Sequence, residues 1–580
     1  MSKDIKFGIK KDELESNIAI GIDLGTTNSC VSIIREGIFP EIIPIEGRDT
    51  IPSCVTWLGG DKFIVGKESY EQRYKENSIY SVKRLMGSDK KVKLIYKGEE
   101  LILTPEEVSA KILRKIVDEV NKDYGNIKKV VVTVPANFNM EQIKATKEAC
   151  RIAGLDLLKL LKEPTSAAIL NTVTNDVVNK NILVYDLGGG TFDVSLVSVR
   201  KSEGVTKELK DFLAIYGIKK DISNKKNSAV EVKYTDGDME LGGDNLDRIL
   251  AEKVLENVNI NINDLTRENR ERFILKIENL KKSINNSNML NFEFEFEFTN
   301  GNSMKEKIKV NYNLFKEATR VIFDKTRAII DLALKENRNI KIDTIALVGG
   351  STKNEALKEL LRETYPTMVI SDGLQPDESV ALGAGVVAKE MTCSDLDMKI
   401  FDVIQSPIGI LRDGIIESLL PKDTVIPSSI RKSYYTTNKD SNLLSLRLYE
   451  GTSTIPSDCR LIGDLNIPYE NKDKTIKKVI VNIRVTINGL IEVTTDIDGK
   501  ETKVDITEPP KSDENEIPKK FRKWRDLIFT INDNNLVNKA MKLWEKSLNG
   551  DRVAEKELGK IIKTNAKLYK PQTVDSSKKE

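Results

Sequence analysis

The chain contains no histidine among its 580 residues. This absence excludes a Ser–His–Asp triad, a histidine-ligated metal and a histidine pH switch. Cysteine is also scarce: the five cysteines lack the Cys-x-x-Cys spacing of a zinc site, and an odd number does not suit a disulfide framework. We expect buried, reduced thiols at Cys30, Cys54, Cys150, Cys393 and Cys459. Any chemistry must therefore rest on carboxylates, lysine, threonine and bound ions.

Long apolar runs are missing as well. No segment reaches the roughly 18 consecutive apolar residues of a membrane-spanning helix, and residues 1–17 lack the apolar centre of a secretion signal. We therefore expect a cytoplasmic chain. The 91 Lys and Arg residues nearly balance the 89 Asp and Glu residues, so a formal net charge of +2 gives no reason to expect a nucleic-acid partner. A content of 39% hydrophobic and 31% charged residues predicts several globular domains.

A repeated hairpin is the strongest positive signal. The segment LVYDLGGGTFDVSLV, residues 183–197, aligns without a gap with IGIDLGTTNSCVSII, residues 20–34, and matches Asp23 with Asp186. Each copy reads as a buried strand, a tight glycine turn and a second strand, and such a turn presents backbone N–H groups to a phosphate. Two copies facing each other would hold a phosphate tail from both sides, with the two aspartates at a divalent cation. One copy alone is equally explained by a tight turn with a hydrogen-bonded aspartate.

Three other segments suit an α/β domain around these hairpins. A strand at Lys129–Val134 stops at a proline and precedes a helix, which indicates a crossover. Glu163 follows the end of another apolar run and would point into the cleft, although a Glu-Pro pair is also an ordinary helix start. The apolar run Thr344–Val348 precedes a Gly-Gly-Ser turn that we expect to open an amphipathic helix.

One helical stripe carries charged and polar residues. Glu278, Lys281, Lys282 and Asn285 stand at positions i, i+3, i+4 and i+7. This pattern is typical of a solvated, ion-paired helix face. The same stripe could hold a ribose and a base, with the carboxylate accepting from sugar hydroxyls.

The combination of motifs resembles the seventy-kilodalton heat-shock (DnaK-like) chaperone family, within the actin and sugar-kinase superfamily. The similarity covers about residues 17–510. It implies an α/β actin-like ATPase domain with ribonuclease H-like duplicated lobes, then an antiparallel β-sandwich and a short C-terminal helical lid. The segments that carry the resemblance are IGIDLGTTNSCV, VYDLGGGTFDVSL, ALVGGSTK, VTVPANFN, KEPTSAA, GDMELGGDNLD and PDESVALGAG.

The strand pattern after residue 404, with turns at Asn488-Gly489 and Asp498-Gly499, predicts the sandwich independently of the resemblance. The lid would be short compared with the family's. The domain boundaries that we predict are an N-terminal extension at 1–16, the ATPase domain at 17–392, a linker at 393–403, the peptide-binding sandwich at 404–510, the lid at 511–570 and a polar tail at 571–580.

The resemblance implies an ATPase that binds ATP or ADP with Mg²⁺ and K⁺. Lys83 would lie by the γ-phosphate and the attacking water, where it would stabilise developing charge together with Glu163, Asp186 and Thr191. Asp23, Asp186 and Glu163 would hold the hydrated Mg²⁺, and Asp193 with Asp23 would lie near K⁺. The implied nucleotide contacts are Gly25, Thr26, Thr27, Asn28, Gly188, Gly189, Gly190, Thr191, Gly243, Glu278, Lys281, Lys282, Asn285, Gly349, Gly350, Ser351, Lys353 and Asp377.

The resemblance also implies a cycle in which ATP opens a peptide site and hydrolysis closes it. The expected partners are unfolded or extended client polypeptides, a J-domain co-chaperone and a nucleotide exchange factor. Main-chain hydrogen bonds and an apolar pocket would bind an extended peptide. The candidate pocket residues, each equally explained as sandwich core, are Ile408, Ile410, Tyr434, Leu444 and Leu446.

Several positions depart from the family pattern. Lys282 and Lys353 replace two arginines that sandwich the adenine, and an ammonium stacks on a base less well than a guanidinium does, so we expect weaker nucleotide affinity. Asn137 replaces a tyrosine after the proposed switch proline. The positions through which the two domains would be coupled are Pro135, Ile143 in place of an arginine, Lys399 within the apolar linker, and Asp402. We expect these changes to weaken the coupling. With the short lid, they suggest a specialised member with few clients.

Two alternatives stay open from the sequence. In a small-molecule kinase on the same fold the sandwich would have no function, and a non-cycling scaffold or exchange factor would not need Lys83, Glu163 and Thr191.

Two further segments have structural interpretations. NFEFEFEFTNG, residues 291–301, predicts one strand with Phe inward and Glu outward, and residues 200–229 predict a surface insertion.

Overall fold

The chain divides into two compact units, Met1–Asp402 and Val403–Glu580. No helix in the part of the chain given below combines the length and the apolar character that crossing a bilayer requires. The structure, a computed structural model, describes residues 18–35, 39–175, 180–201, 228–284, 289–371, 375–393, 399–404, 406–412, 414–422, 424–436, 442–471, 475–507, 539–540, 542–544, 546–547 and 552–565.

The first lobe of the first unit contains the first hairpin copy. Its central sheet has the order β11-β10-β1-β2-β3, with β4 also paired to β2, and smaller sheets have the orders β6-β5-β7 and β8-β9. Strand β1 runs antiparallel to β2 and parallel to β10. The strands are β1 Ala19–Asp23, β2 Asn28–Ile33, β3 Glu41–Ile42, β4 Ile51–Pro52, β5 Cys54–Trp57, β6 Phe63–Val65, β7 Ser78–Tyr80, β8 Val92–Tyr96, β9 Glu99–Leu103, β10 Lys129–Val134 and β11 Asp156–Lys162.

The second lobe repeats this arrangement with the second hairpin copy. Strand β12 runs antiparallel to β13 and parallel to β17, as β1 does to β2 and β10. The order β18-β17-β12-β13-β14-β19 places the hairpin in the middle of the sheet. The strands are β12 Lys180–Leu187, β13 Phe192–Lys201, β14 Ser228–Asp238, β15 Met289–Glu297, β16 Ser303–Asn311, β17 Thr344–Val348, β18 Val369–Ser371 and β19 Lys399–Val403.

Helices cover these sheets, and five of those described begin at a polar side-chain cap. Thr104 and Asn139 each form a capping box with the residue three positions on, which satisfies two free N–H groups at the helix start. The Gly349-Gly350-Ser351 turn does not open a helix as predicted, because it forms a 3₁₀ turn and Asn354 caps the helix that follows. The α-helices are Lys67–Glu71, Pro105–Tyr124, Met140–Ile152, Glu163–Asn175, Gly243–Glu256, Arg267–Lys281, Tyr312–Glu336, Glu355–Thr364, Ser379–Cys393 and Arg552–Asn565.

The Phe-Glu repeat forms strand β15, which pairs with β16. Its phenylalanines pack against the core of the second lobe, where Phe296 is fully buried and Phe273 contacts three of the rings. Its glutamates face outward, and Glu293 and Glu295 stand opposite lysines of β16. The prediction of an inward aromatic face is therefore confirmed.

The second unit contains two antiparallel sheets. Their strand orders are β21-β20-β24-β25-β29 and β23-β26-β27-β28. Alternate residues of β26 are buried, and Asp498 and Gly499 have the left-handed backbone of a two-residue hairpin turn, as the sequence predicts. The strands are β20 Ile408–Arg412, β21 Ile415–Leu420, β22 Val425–Ile426, β23 Ser428–Tyr435, β24 Leu443–Glu450, β25 Arg460–Pro468, β26 Lys478–Val485, β27 Ile491–Ile497, β28 Lys500–Val504 and β29 Ile506–Thr507.

Several predicted segments lie outside the described residues. They are the extension 1–16, most of the insertion (202–227), the linker residues 394–398, the start of the lid (508–538) and the tail 571–580. The helix Arg552–Asn565 lies within the predicted lid.

Candidate functional site

A cavity of about 640 Å³ lies in the first unit, and both hairpin turns line it. It is within the usual size range of small-molecule and cofactor pockets. Gly190 and Asp193 do not line it, and Asn285 lies outside the described residues. The predicted residues that it brings together are Asp23, Gly25, Thr26, Thr27, Asn28, Lys83, Glu163, Asp186, Gly188, Gly189, Thr191, Gly243, Glu278, Lys281, Lys282, Gly349, Gly350, Ser351, Lys353 and Asp377.

The two glycine turns contact each other across the cavity. A Cβ atom on Gly189 would lie 1.7 Å from the Thr27 Oγ1 atom, so only glycine allows this approach. The start of the helix Gly243–Glu256 supports the second turn, because the Gly243 N–H donates to the Gly188 carbonyl at 2.9 Å. The backbone of both turns is therefore held close to one shared space.

Buried carboxylates surround that space. Asp23 accepts a hydrogen bond from Thr133 Oγ1 at 2.7 Å. Burial raises the pKa of Asp23 to about 7, and Glu163 adds to this effect while Lys83 opposes it. Burial, followed by Glu163, Asp193 and Asp23, raises the pKa of Asp186 well above its ordinary value. Ionisation of these carboxyl groups is therefore disfavoured, first by burial and then by the neighbouring carboxylates.

Asp193 lies behind the cavity wall and is almost fully buried. Its carboxylate oxygens accept no hydrogen bond from any residue that the structure describes, and the Asn137 backbone, which lowers the pKa, lacks hydrogen-bond geometry. Burial and then Glu163 raise the pKa of Asp193 to about 8. At neutral pH a carboxyl group with this pKa is mostly protonated, and it would ionise only beside a compensating positive charge.

Lys83 partly supplies that charge. It lies on the 3₁₀ turn Val82–Leu85, and its Nζ donates to Glu163 Oε1 at 2.6 Å with both side chains buried. Two ammonium groups thus oppose the raised pKa values of these carboxyl groups. Lys83 lowers the pKa of Asp23, Asp186 and Asp193, and Lys162 lowers that of Asp193.

The carboxylates of Asp23, Glu163 and Asp186 line the cavity, and carboxylate oxygens are suitable ligands for Mg²⁺ or its bound waters. No three Asp, Glu, Cys or His side chains of the described residues approach closely enough to hold a metal ion between them. Mg²⁺ usually keeps several waters and binds through few carboxylates and substrate phosphates. Carboxylates whose pKa values rise in the absence of a cation would be stabilised by such an ion.

The opposite end of the cavity has its charges already paired. Glu278 Oε2 lies 2.8 Å from Arg73 Nη1, Glu278 Oε1 accepts from Lys282 Nζ at 2.9 Å, and Tyr70 Oη also donates to this carboxylate. Burial raises the pKa of Glu278, but Arg73, Lys282 and Tyr70 outweigh it and lower the pKa to about 2. Glu278 is therefore held ionised by the protein itself.

The other lysines at this end are paired in the same way. Lys281 Nζ lies 2.7 Å from Asp247 Oδ1, and Lys353 Nζ lies 2.7 Å from Asp377 Oδ1. The predicted helical stripe is shorter than expected, because the helix ends at Lys281 and Lys282 caps it.

Sequence reasoning missed several residues of this end. Arg73 lies between the rings of Tyr70 and Tyr80, 4.2 and 5.0 Å from their centroids. Nothing local in the sequence indicates that Tyr70 and Arg73 pair with Glu278, since Tyr70 and Glu278 are 208 positions apart. The cavity is also lined by Asp244, Leu246, Asp247, Ile284, Tyr312, Phe315, Val348, Asn354, Glu355, Glu359, Pro376 and Val380.

Comparison with known proteins decides the family. A sequence profile described as "Hsp70 protein" matches residues 19–208 and 221–577. The chain belongs to the Hsp70 family. This Hsp70 chain is 31% identical over 531 residues to "Chaperone protein DnaK" of Mycoplasmoides gallisepticum, covering 88% of this chain and 85% of the relative. It is 30% identical over 521 residues to "Chaperone protein DnaK" of Ureaplasma parvum serovar 3, covering 88% and 81%.

Family membership also indicates the activity of this chain. Hsp70 proteins are ATP-dependent chaperones that hydrolyse ATP, generally with Mg²⁺, and this chain is one of them. Client polypeptides and co-chaperones follow as its classes of partner. Mixed α/β lobes followed by a β-rich unit agree with an actin-like ATPase domain and a second, β-rich domain.

The predicted coupling residues of this Hsp70 protein lie around β10 and β19. Pro135 follows β10, and Ile143 is buried on the helix Met140–Ile152. Asp402 is buried and accepts from Thr165 Oγ1 at 3.1 Å. Lys399 begins β19, whose residues 399–401 pair in parallel with β14, and nothing is described of its side chain.

The predicted peptide-site residues of this Hsp70 protein lie in both sheets of the second unit. Ile408 and Ile410 are buried on β20. Leu444 and Leu446 are half-buried on β24, the neighbouring strand of the same sheet. Tyr434 is half-buried on β23 of the other sheet. Ile408 and Ile410 therefore have the burial of core residues, whereas the other three retain accessible surface.

Proposed function

We propose that ATP binds in the 640 Å³ cavity with its phosphates between the two hairpin turns. The observation that carries this proposal is the direct contact of Gly189 with Thr27, which places two backbone-rich turns around one space lined by buried acids. Backbone N–H groups of Thr26, Thr27 and Asn28 from one turn and of residues 188–191 from the other would bind the phosphates. The base and ribose would extend toward the Glu278 end.

Lys83 would stabilise negative charge on the transferred phosphoryl group. Its ammonium is already buried beside Glu163, so it needs no reorganisation to meet that charge. Glu163, Asp186 and Asp23 would hold Mg²⁺ through its waters, and Thr191 would contact the phosphates. The metal, when bound, would neutralise phosphate charge. We further propose K⁺ near Asp193 and Asp23, supported by the unpaired oxygens of Asp193.

The second unit would bind extended peptides. The half-buried Tyr434, Leu444 and Leu446 leave apolar surface for client side chains, and sheet edges offer main-chain hydrogen bonds. Ile408 and Ile410 would support that surface from the core.

We also propose the domain boundaries given above, with a short lid from residue 511, and a cytoplasmic location.

Coupling between ATP hydrolysis and peptide binding would run through four residues: Pro135, Ile143, Lys399 and Asp402. Asp402 is the member of this set with a described hydrogen bond to the ATPase domain, through Thr165. A J-domain protein would stimulate hydrolysis, and an exchange factor would release ADP. Because Ile143 and Lys399 replace residues typical of the family, the coupling would be weak and the range of clients narrow.

The test is ATP-driven release of a fluorescent unfolded peptide from the full chain with Mg²⁺. We expect release on addition of ATP, no release with EDTA present, and a coupling free energy about 1 kcal/mol larger for Lys399→Leu. A peptide site that ignores ATP in both proteins would contradict the proposal. Labelled phosphate appearing on a metabolite, rather than free in solution, would instead indicate a kinase.

A further inference from the structure

The end of the cavity opposite the acids lacks a free cation to stack on a base, among the residues that the structure describes there. Lys282 Nζ is paired with Glu278 at 2.9 Å, and Lys353 Nζ is paired with Asp377 at 2.7 Å. A paired ammonium is a compact charge with a fixed hydrogen-bond partner, so it offers a base neither a flat surface nor free charge. Another group must therefore contact the base of a bound nucleotide.

Two aromatic rings line the same cavity on the second lobe. Phe315 is 3% exposed, so it belongs to the core, whereas Tyr312 is half-buried and reaches the cavity surface. The two ring centroids lie 6.0 Å apart at an interplanar angle of 49°. Phe315 therefore supports the Tyr312 ring from the protein side and leaves Tyr312 as the accessible aromatic group.

The backbone of Tyr312 is also held in place. Tyr312 is the first residue of the helix Tyr312–Glu336, and the Asn311 side chain caps that helix by accepting from the Leu314 N–H at 2.9 Å. Burial and then the nearby Glu359 raise the pKa of the Tyr312 hydroxyl. Glu359 in turn accepts from Lys316 Nζ at 2.8 Å. The helix cap thus fixes the Tyr312 backbone, and Phe315 packs against the ring.

We propose that Tyr312 is the stacking surface for the nucleotide base in this protein. The inference rests on the proposed nucleotide site and adds a residue that determines how the base is held. Stacking on an aromatic ring depends little on the identity of the base, because every base has a π-face. Ile284, which also lines the cavity, would add apolar contact at this end.

The experiment compares ADP with inorganic tripolyphosphate, which has phosphates and no base, by calorimetric titration with Mg²⁺. For Tyr312→Leu we expect about tenfold weaker ADP binding and unchanged tripolyphosphate binding. Tyr312→Phe keeps the ring and loses the hydroxyl, and it should bind ADP within about twofold of the unsubstituted chain. In Tyr312→Trp, ADP should quench the added indole fluorescence and tripolyphosphate should not.

Three results would overturn the inference. ADP binding by Tyr312→Leu equal to that of the unsubstituted chain would remove any role for the ring. An equal loss of ADP and tripolyphosphate would show a structural effect on the whole site. Loss in Tyr312→Phe as large as in Tyr312→Leu would assign the effect to the hydroxyl. Failure of the unsubstituted chain to bind either ligand would instead overturn the proposed function, and this inference with it.

Discussion

The carboxyl groups at the two ends of the cavity have opposite pKa shifts. At one end Asp186 and Asp193 are buried and Asp23 is half-buried, and burial followed by the neighbouring carboxylates raises the pKa of all three. At the other end Glu278 is equally buried, yet its pKa falls to about 2 because cations of the protein surround it. The carboxyl groups of the acidic end would therefore ionise fully only beside a bound cation, whereas cations of the protein itself keep Glu278 ionised.

This difference predicts that the two ends contribute differently to nucleotide binding. A bound cation and the phosphates it accompanies would relieve charge only at the acidic end, so most of the binding free energy should arise there. The base would gain stacking and apolar contact, but no unpaired lysine. Nucleotide affinity in this chain should consequently depend strongly on Mg²⁺ and weakly on the base.

The largest effect is expected from removing the cation of the acidic end. Lys83→Ala should reduce the single-turnover rate of ATP hydrolysis by about 10²–10³-fold, because a preorganised charge beside the transferred phosphoryl group is lost. Lys122→Ala, an exposed lysine on another helix, is the matched control and should hydrolyse ATP normally. A Lys83→Ala rate close to that of the control would contradict the role of this residue.

Acid should destabilise the Glu278 end and spare the acidic end. A folded-state pKa of about 2, below the ordinary 4.5, stabilises the fold above about pH 4.5, and this stabilisation is lost as the pH falls toward 2. It corresponds to about 3 kcal/mol of unfolding free energy. Asp23, with a raised pKa of about 7, should instead make the ligand-free protein less stable as the pH rises from about 4 to 7.

Urea unfolding of the ligand-free chain across this pH range separates the two contributions. Glu278→Gln should flatten the slope below pH 4.5, and Asp23→Asn should flatten the slope between about pH 4 and 7. An unchanged acid slope in Glu278→Gln would mean that the Arg73–Glu278 pair does not stabilise the fold.

Removing Mg²⁺ should weaken nucleotide binding through the acidic end alone. With EDTA we expect ADP affinity to fall at least about tenfold, because the phosphates then meet uncompensated carboxylates. Adenosine, which lacks phosphates, should bind equally with and without Mg²⁺. If EDTA lowers the affinity for adenosine as much as the affinity for ADP, the proposed difference between the two ends is wrong.

The smallest effect is expected at the Glu278 end. Lys282→Arg should strengthen ADP binding by about two- to fivefold, because a planar guanidinium can pair with Glu278 and still offer a flat face to the base. Lys122→Arg, measured in parallel, should leave the affinity unchanged. Weaker ADP binding in Lys282→Arg would show that this position does not face the base.

Much of the acidic end could be predicted from the sequence. The repeated hairpin predicted both turns and both aspartates, because strand alternation and glycine turns are local features of the chain. Glu163, which follows β11, was predicted from the apolar run before it, whereas Lys83 was predicted only from the family resemblance. The structure brings these residues together in one cavity, as the two facing hairpins require.

The Glu278 end could not be predicted in the same way. Its contacts join residues far apart in the chain, so Arg73 and Tyr70 carry no local sign that they pair with Glu278. In the sequence, Tyr312 is an ordinary tyrosine at a helix start. The proposal that it stacks on the base rests on its place beside Phe315 in the cavity wall. The Gly349-Gly350 turn forms a 3₁₀ turn rather than the predicted helix start, because the two share the same glycine signal in the sequence.

The most direct test is a crystal structure of the full chain with ADP, Mg²⁺ and inorganic phosphate. The account predicts a hydrated metal between Asp23 and Asp186, with phosphate groups on the turns at Thr26–Asn28 and Gly188–Thr191. A nucleotide bound elsewhere, or a metal distant from both aspartates, would contradict it.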